Sequence, residues 1–223
     1  MEWPGHGEIQ QFGSLHSVRR NKSVLIFDLD DTLVYSDNTL YENEEYPENA
    51  DYGSPIPSAV EFVKYALDKK VECYILTANG NVEDIMAKVR AFVKAVGRGN
   101  LFKYILYRAK PGYYQKTYTK ILELYYGDAP FPQIAYPIFF FDNAKDQIDS
   151  VYSSAEEAGA KCLYTVHVDR ADLESTWERA KEFLAEVSPM SLQKLGPVVL
   201  TPRPSAEARA RGGARKTRRK QKK

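Results

Sequence analysis

The chain has 223 residues and 25.4 kDa, with 43% hydrophobic and 27% charged residues. That suffices for one domain with a sizeable core and is too short for two full enzyme domains. Two cysteines, Cys73 and Cys162, exclude a disulfide framework, and neither lies in a CxxC or Cys/His cluster of the kind that binds zinc. No apolar run approaches the ~18 residues of a membrane span. Met1–Gly13 has no basic patch followed by an apolar stretch, so no signal peptide is expected. The expected setting is a soluble protein in a reducing, intracellular compartment.

The net charge of +1 conceals an asymmetry. Residues 203–223 hold ten Lys/Arg and one acid, Glu207, giving +9, whereas the preceding 202 residues hold 21 Lys/Arg and 29 Asp/Glu, giving −8. Body and tail therefore call for separate readings.

In chain order, residues 1–21 lack periodicity and carry Pro4, Gly5, Gly7 and Gly13, which predicts a loosely held arm. Ser23–Asp28 (SVLIFD) predicts a buried strand that stops at carboxylates. Ser36–Pro57 is polar and acidic, a loop or flap. Ser58–Lys69 predicts a helix with Val60, Val63 and Leu67 on one face, and Pro57 sits where a helix start accepts proline. Val71–Leu76 predicts a second strand. Asn81–Val96 predicts a helix closed by Gly97. A short strand at Leu101–Tyr107, a helix at Tyr113–Tyr126 and an apolar strand at Pro137–Phe141 follow, the last ending at Asp142. Asp146–Ala158 predicts a helix, Ala160–Val168 a strand and Ala171–Val187 the final helix. Alternating strands and helices imply an α/β fold, a mainly parallel, doubly wound sheet covered on both faces. The expected organisation is an arm (1–21), one folded domain (22–188), and a Pro-containing linker with a basic tail (189–223).

Three predicted strands end in a group able to do chemistry: Asp28, Thr77 and Asp142. Ligands of open parallel sheets bind at the carboxyl ends of the strands, so the three could converge. In Asp28-Leu29-Asp30-Asp31-Thr32, three acids within four residues repel one another unless a cation resides there. All-oxygen ligation of this kind suits Mg²⁺.

These residues resemble the haloacid-dehalogenase-like (HAD) superfamily of phosphohydrolases. Asp28-Leu29-Asp30-Asp31-Thr32 matches its DxDxT signature, Tyr74-Ile75-Leu76-Thr77 its second, and Phe140-Phe141-Asp142-Asn143-Ala144-Lys145-Asp146 its fourth. The resemblance spans about residues 22–170 and implies a HAD-like Rossmannoid fold and an Mg²⁺-dependent phosphatase. It implies that Asp28 is the nucleophile that forms an aspartyl-phosphate, that Asp30 is the proton donor and acceptor, and that Thr32 braces the loop. Thr77, helped by Asn79, would hold a phosphate oxygen, although Asn79 also fits a helix cap. The metal would rest on Asp28, Asp142 and the Asp30 carbonyl, with Asp146 in support; Asn143 stands where some relatives carry a second adjacent acid. Lys110, Lys116 and Lys120 all fall in the interval of the family's lysine. Lys110 is favoured because Pro111 follows it, and Lys116 comes second.

Between Asp28 and Thr77 lie 48 residues, including the predicted helix Ser58–Lys69. The remainder is a flap too small to be a cap domain, so an open site is expected. Asp37, Glu42, Glu44, Glu45, Glu48 and Asp51 in the flap would repel polyanions and favour a phosphoprotein over nucleic acid. Asp28–Val34 also resembles the first signature of phosphatases acting on the RNA polymerase carboxy-terminal domain. The tail fits a nuclear address, a grip on nucleic acid, or a merely solubilising segment. The alternative function is a catalytically lapsed HAD-fold binding protein, tethered to nucleic acid or an assembly by that tail.

Overall fold

Val24–Phe27 (β2) is buried on both faces because its side chains alternate between two cores. Leu25 and Phe27 join one cluster, Val24 and Ile26 the other. A computed structural model describes residues 7–11, 23–36, 51–110, 112–126, 137–160, 163–186 and 198–200. Around β2 it arranges Gly7–Gln11 (β1), Glu72–Leu76 (β3), Phe102–Tyr107 (β4), Ile138–Asp142 (β5), Leu163–His167 (β6) and Val198–Leu200 (β7) in one sheet of order β1-β4-β3-β2-β5-β6-β7. All neighbouring strands pair in parallel except β1, which runs antiparallel along β4. The expected α/β, mainly parallel sheet is present.

Helices Pro57–Asp68 (α1), Val82–Val96 (α2) and Leu173–Glu186 (α5) cover one face. There Phe27 and Phe141 stack at 4.9 Å and Phe141 stacks on Trp177 at 5.2 Å. Helices Tyr118–Tyr126 (α3) and Lys145–Glu157 (α4) cover the other, with Ile121, Ile148 and Val151 against Ile26 and Phe140. Local signals set the helix ends. Pro57 opens α1, the Asn81 side chain accepts the Asp84 N–H at the start of α2, and Gly97 ends α2 at φ 76°.

Two strands fall where the sequence predicts none: β1 within 1–21 and β7 beyond residue 188. Both are short edge strands, whose pairing is supplied by a neighbour rather than by their own periodicity. Helix α3 begins at Tyr118 instead of Tyr113. Residues before it are held by tertiary bonds to α4 instead: the Lys116 N–H donates to Gln147 Oε1 (2.7 Å), and Ser150 Oγ donates to the Lys116 carbonyl (2.8 Å).

From β2 the chain moves outward through β3 and β4, then crosses back to place β5 on the other side of β2. Between β2 and β5 the direction of winding reverses, and there the two helix layers diverge and leave a crevice at the carboxyl ends. Asp28 and Asp142 stand at this point. Among the described residues, no helix is long and apolar enough to cross a membrane.

Candidate active site

Asp28 follows the last residue of β2, and its N–H donates to the Phe141 carbonyl of β5 (2.8 Å). Asp142 ends β5, and one carboxylate oxygen accepts the Ala144 N–H (2.8 Å) at the start of α4. The Lys116 ammonium lies between them, donating to Asp28 Oδ1 at 2.5 Å and to Asp142 Oδ2 at 2.6 Å. All three side chains are buried, Lys116 to within 2% of complete. Burial pushes the Asp28 carboxyl up to about 8; Lys116 opposes the shift, while Asp142 and Asp30 add repulsion. Asp142 is also raised by burial, against Lys116 and the Ala144 N–H. For Lys116, burial favours loss of the proton, but the two carboxylates outweigh it and hold the ammonium charged. One ammonium matches only one carboxylate, so without a further cation Asp28 keeps its proton to about pH 8.

Asp30 lies 25% exposed at the edge of this group. Its Oδ1 accepts from the Lys88 ammonium at 2.5 Å and its Oδ2 from the Asn79 amide at 3.2 Å. The Asn79 N–H donates to the Thr77 hydroxyl (3.1 Å), so Thr77, Asn79 and Asp30 form one chain of contacts. Thr77 is itself buried, with its N–H on the Leu106 carbonyl. The cap of α2 is Asn81 and not Asn79, which frees the Asn79 side chain for Asp30 and for Asp84 (2.7 Å). Gly80 is required here: a Cβ would lie 2.9 Å from the Arg108 carbonyl.

No protein-family profile and no curated protein match the chain. Among solved structures, it is similar to the HAD domain of the effector protein Lem4 from Legionella pneumophila, an inactive mutant. The match has 13% identity and a TM-score of 0.50 and covers 74% of this chain and 94% of that one. A weaker likeness, at TM-score 0.41 and 13% identity, is to D,D-heptose 1,7-bisphosphate phosphatase from B. bronchiseptica complexed with magnesium and phosphate, covering 87% of this chain and 99% of that one. The chain has the HAD-like fold.

On this HAD-like frame the favoured lysine, Lys110, does not reach the site acids. Lys110 is exposed and makes no hydrogen bond or ion pair with the site acids, and Pro111 lies outside the described residues. The lysine that reaches the acids is Lys116, carried inward by the extended segment before α3. Lys120 turns to the Gln115 carbonyl and the Tyr114 ring. Thr32 is fully buried, and among the described residues its hydroxyl has no hydrogen-bond partner with which to brace the loop.

Asp31 does that bracing. It adopts φ 55°, turns away from the other acids, and accepts from Ser36 N (2.8 Å), Ser36 Oγ (2.6 Å) and Arg170. The three acids of the first signature are thus separated, each with its own cation or donor set. Asp146 is exposed and accepts from Tyr113 Oη (3.3 Å) and Gln147 Nε2 (3.3 Å), close enough to Asp142 to raise its carboxyl slightly by repulsion. His167 contacts the Asn143 carbonyl at 2.9 Å. Cys73 is buried, and burial pushes its thiol up to about 12.

The donor set fits a divalent cation. Among the described residues Asp28 Oδ2 accepts no hydrogen bond, Asp142 lies on the far side of the same ammonium, and a cation would take the place of the proton that burial keeps on Asp28. Among the described residues no three His, Cys, Asp or Glu side chains gather at one point. A cation here would therefore rest on two carboxylates, a main-chain carbonyl and water, which is how Mg²⁺ is commonly held. Of the acidic flap only Asp51 is described; Asp37, Glu42, Glu44, Glu45, Glu48 and the basic tail lie outside the described residues.

Lys88 is the residue that the sequence reading missed. Its signal was a lysine on the apolar face of α2, aligned with Ile85, Val89 and Phe92. A charge at a core position implies a buried counter-charge.

Proposed function

We propose that this protein is a Mg²⁺-dependent phosphatase acting through an aspartyl-phosphate on Asp28. The observation that carries the reading is the single buried ammonium of Lys116 shared by Asp28 and Asp142. It brings the acid ends of two strands, 114 positions apart in sequence, within reach of one cation. Asp28, Asp142 and the Asp30 carbonyl would hold Mg²⁺, which supplies charge neutralisation and orients the phosphate.

In the first step an oxygen of Asp28 bonds to phosphorus as the ester P–O bond breaks, and the leaving oxygen takes a proton from Asp30. Water then attacks phosphorus and gives a proton to Asp30, the bond to Asp28 breaks, and inorganic phosphate departs. Lys116 offsets repulsion between the nucleophile and the dianion. The Thr77 hydroxyl, whose oxygen already accepts the Asn79 N–H, keeps its own proton for a phosphate oxygen. The finer reading of the substrate is an accessible phosphomonoester such as a phosphoprotein side chain, supported by the short, acidic interval between Asp28 and α1. Residues 203–223 support an additional grip on a polyanion, measured as the salt dependence of nucleic-acid binding with and without them.

The decisive test is hydrolysis of an aryl phosphate with Mg²⁺, with a chelator, and by Asp28→Asn. Activity should need the metal and fall about 10³-fold or more in the variant. Undiminished turnover by Asp28→Asn would sink the nucleophile assignment.

A further inference from the structure

We propose that Lys88 is a positioning residue for Asp30, pinning its carboxyl at the edge of the site in the attitude that proton transfer to the leaving group requires. The inference rests on the reading of Asp30 as the proton donor and acceptor, and it concerns a residue outside every signature of the family resemblance.

Three observations carry it. Both oxygens of the Asp30 carboxyl are claimed, Oδ1 by the Lys88 ammonium (2.5 Å) and Oδ2 by the Asn79 amide (3.2 Å). Asp30 leaves the strand on a loop whose next residue has positive φ, so the backbone alone does not fix the direction of its side chain. Lys88 is itself immobilised and only 4% exposed. One helical turn away, Asp84 Oδ2 accepts from it at 2.7 Å, and the Tyr52 ring lies 4.6 Å from the ammonium. Tyr52 Oη donates to Asp84 Oδ1 at 2.8 Å, and Asn79 donates to Asp84 Oδ2 at 2.7 Å. The turn bearing Tyr52 is tied to the segment after β2, with the Gly53 N–H on the Tyr35 carbonyl (2.8 Å) and the Tyr35 N–H on the Ser54 carbonyl (2.9 Å).

Lys88 therefore connects three stretches of chain at one carboxylate. A surface ion pair has no need of such enclosure, because exposed pairs contribute little. A proton-transferring group does need it, since its efficiency depends on a narrow range of positions. The consequence is selective. An ester with a good leaving group departs without a proton, whereas one with a poor leaving group depends on a well-placed acid.

The test is kcat/KM for p-nitrophenyl phosphate and phenyl phosphate, measured on wild type, Lys88→Met, Lys88→Arg and Asp30→Asn. Lys88→Met should lose about threefold on the nitrophenyl ester and about thirtyfold or more on the phenyl ester, following the pattern of Asp30→Asn, while Lys88→Arg restores most of the loss. Equal losses on both esters in Lys88→Met would overturn the proposal and leave Lys88 a purely structural residue. Should that variant fail to fold, Tyr52→Phe and Asp84→Asn loosen Lys88 without removing its charge; a weaker leaving-group split supports the proposal, and no split in either overturns it. The parent reading fails separately, if Asp28→Asn still turns over or Asp30→Asn shows no leaving-group dependence.

Discussion

Lys116 sits between Asp28 and Asp142 much as Lys88 sits between Asp30 and Asp84, yet the carboxylates respond in opposite directions. Asp28 is pushed up to about 8 and Asp142 is raised as well, while Asp84 is held below the usual range. Burial raises all three. The difference lies in how many donors oppose it. Asp84 keeps some contact with water and accepts from Lys88, Tyr52 and Asn79, which together outweigh its burial. Asp28 is drier and accepts from Lys116 alone, with two further carboxylates nearby. A lysine between two acids is thus a finished structural joint when other donors complete it. Where they are missing, the carboxyl keeps its proton well above the usual range, a perturbation of the kind that marks candidate functional sites.

Removing the lysine from the drier group should break the comparison most sharply. Lys116→Met leaves the buried Asp142 carboxylate without its cation and should cost about 3–5 kcal/mol of stability at neutral pH, read by denaturant unfolding. Asp28→Asn should act the other way. The unfolded chain releases this proton near pH 4, and the folded protein keeps it to about 8, so the wild type loses stability as pH rises between those values. Measured without divalent metal at pH 8, the Asn variant should be more stable by about 2 kcal/mol, with the gain shrinking toward pH 4.

Asp84→Asn sharpens the contrast with a smaller effect of opposite sign. Its folded value is depressed, so its contribution is complete above about pH 4 and is lost as pH falls below that. The variant should be less stable by about 1 kcal/mol at pH 7, and the difference should close in acid. Lys110→Ala should change neither thermal stability nor phosphate-ester turnover by more than about twofold, because its exposed side chain touches no site acid. A large loss of turnover in that variant would return the lysine role to Lys110.

Much of the fold was legible because the buried strands are short apolar runs that stop abruptly at polar residues. The strands ending near Asp28, Thr77 and Asp142 all form, and all point the same way. That Lys116, and not Lys110, meets the acids was not legible, because a local Lys-Pro pair and a helix expected from Tyr113 point elsewhere. The bonds from Gln147 and Ser150 that straighten the chain through Lys116 come from 31 and 34 residues away. The separate contacts of Asp31 were illegible for a similar reason: its partner Arg170 stands 139 positions along the chain.

From the sequence alone came the order of the elements from β2 to α5, the alternation that buries β2 on both faces, and the residue types at the strand ends, since each depends on neighbours within a few positions. Only the tertiary structure decided which lysine meets which acid, which of the three adjacent carboxylates turns away, and that Lys88 reaches Asp30. Those outcomes depend on charges brought together by the crossing from β4 back to β5. Coulomb attraction and desolvation respond to distance in space, which local sequence does not encode.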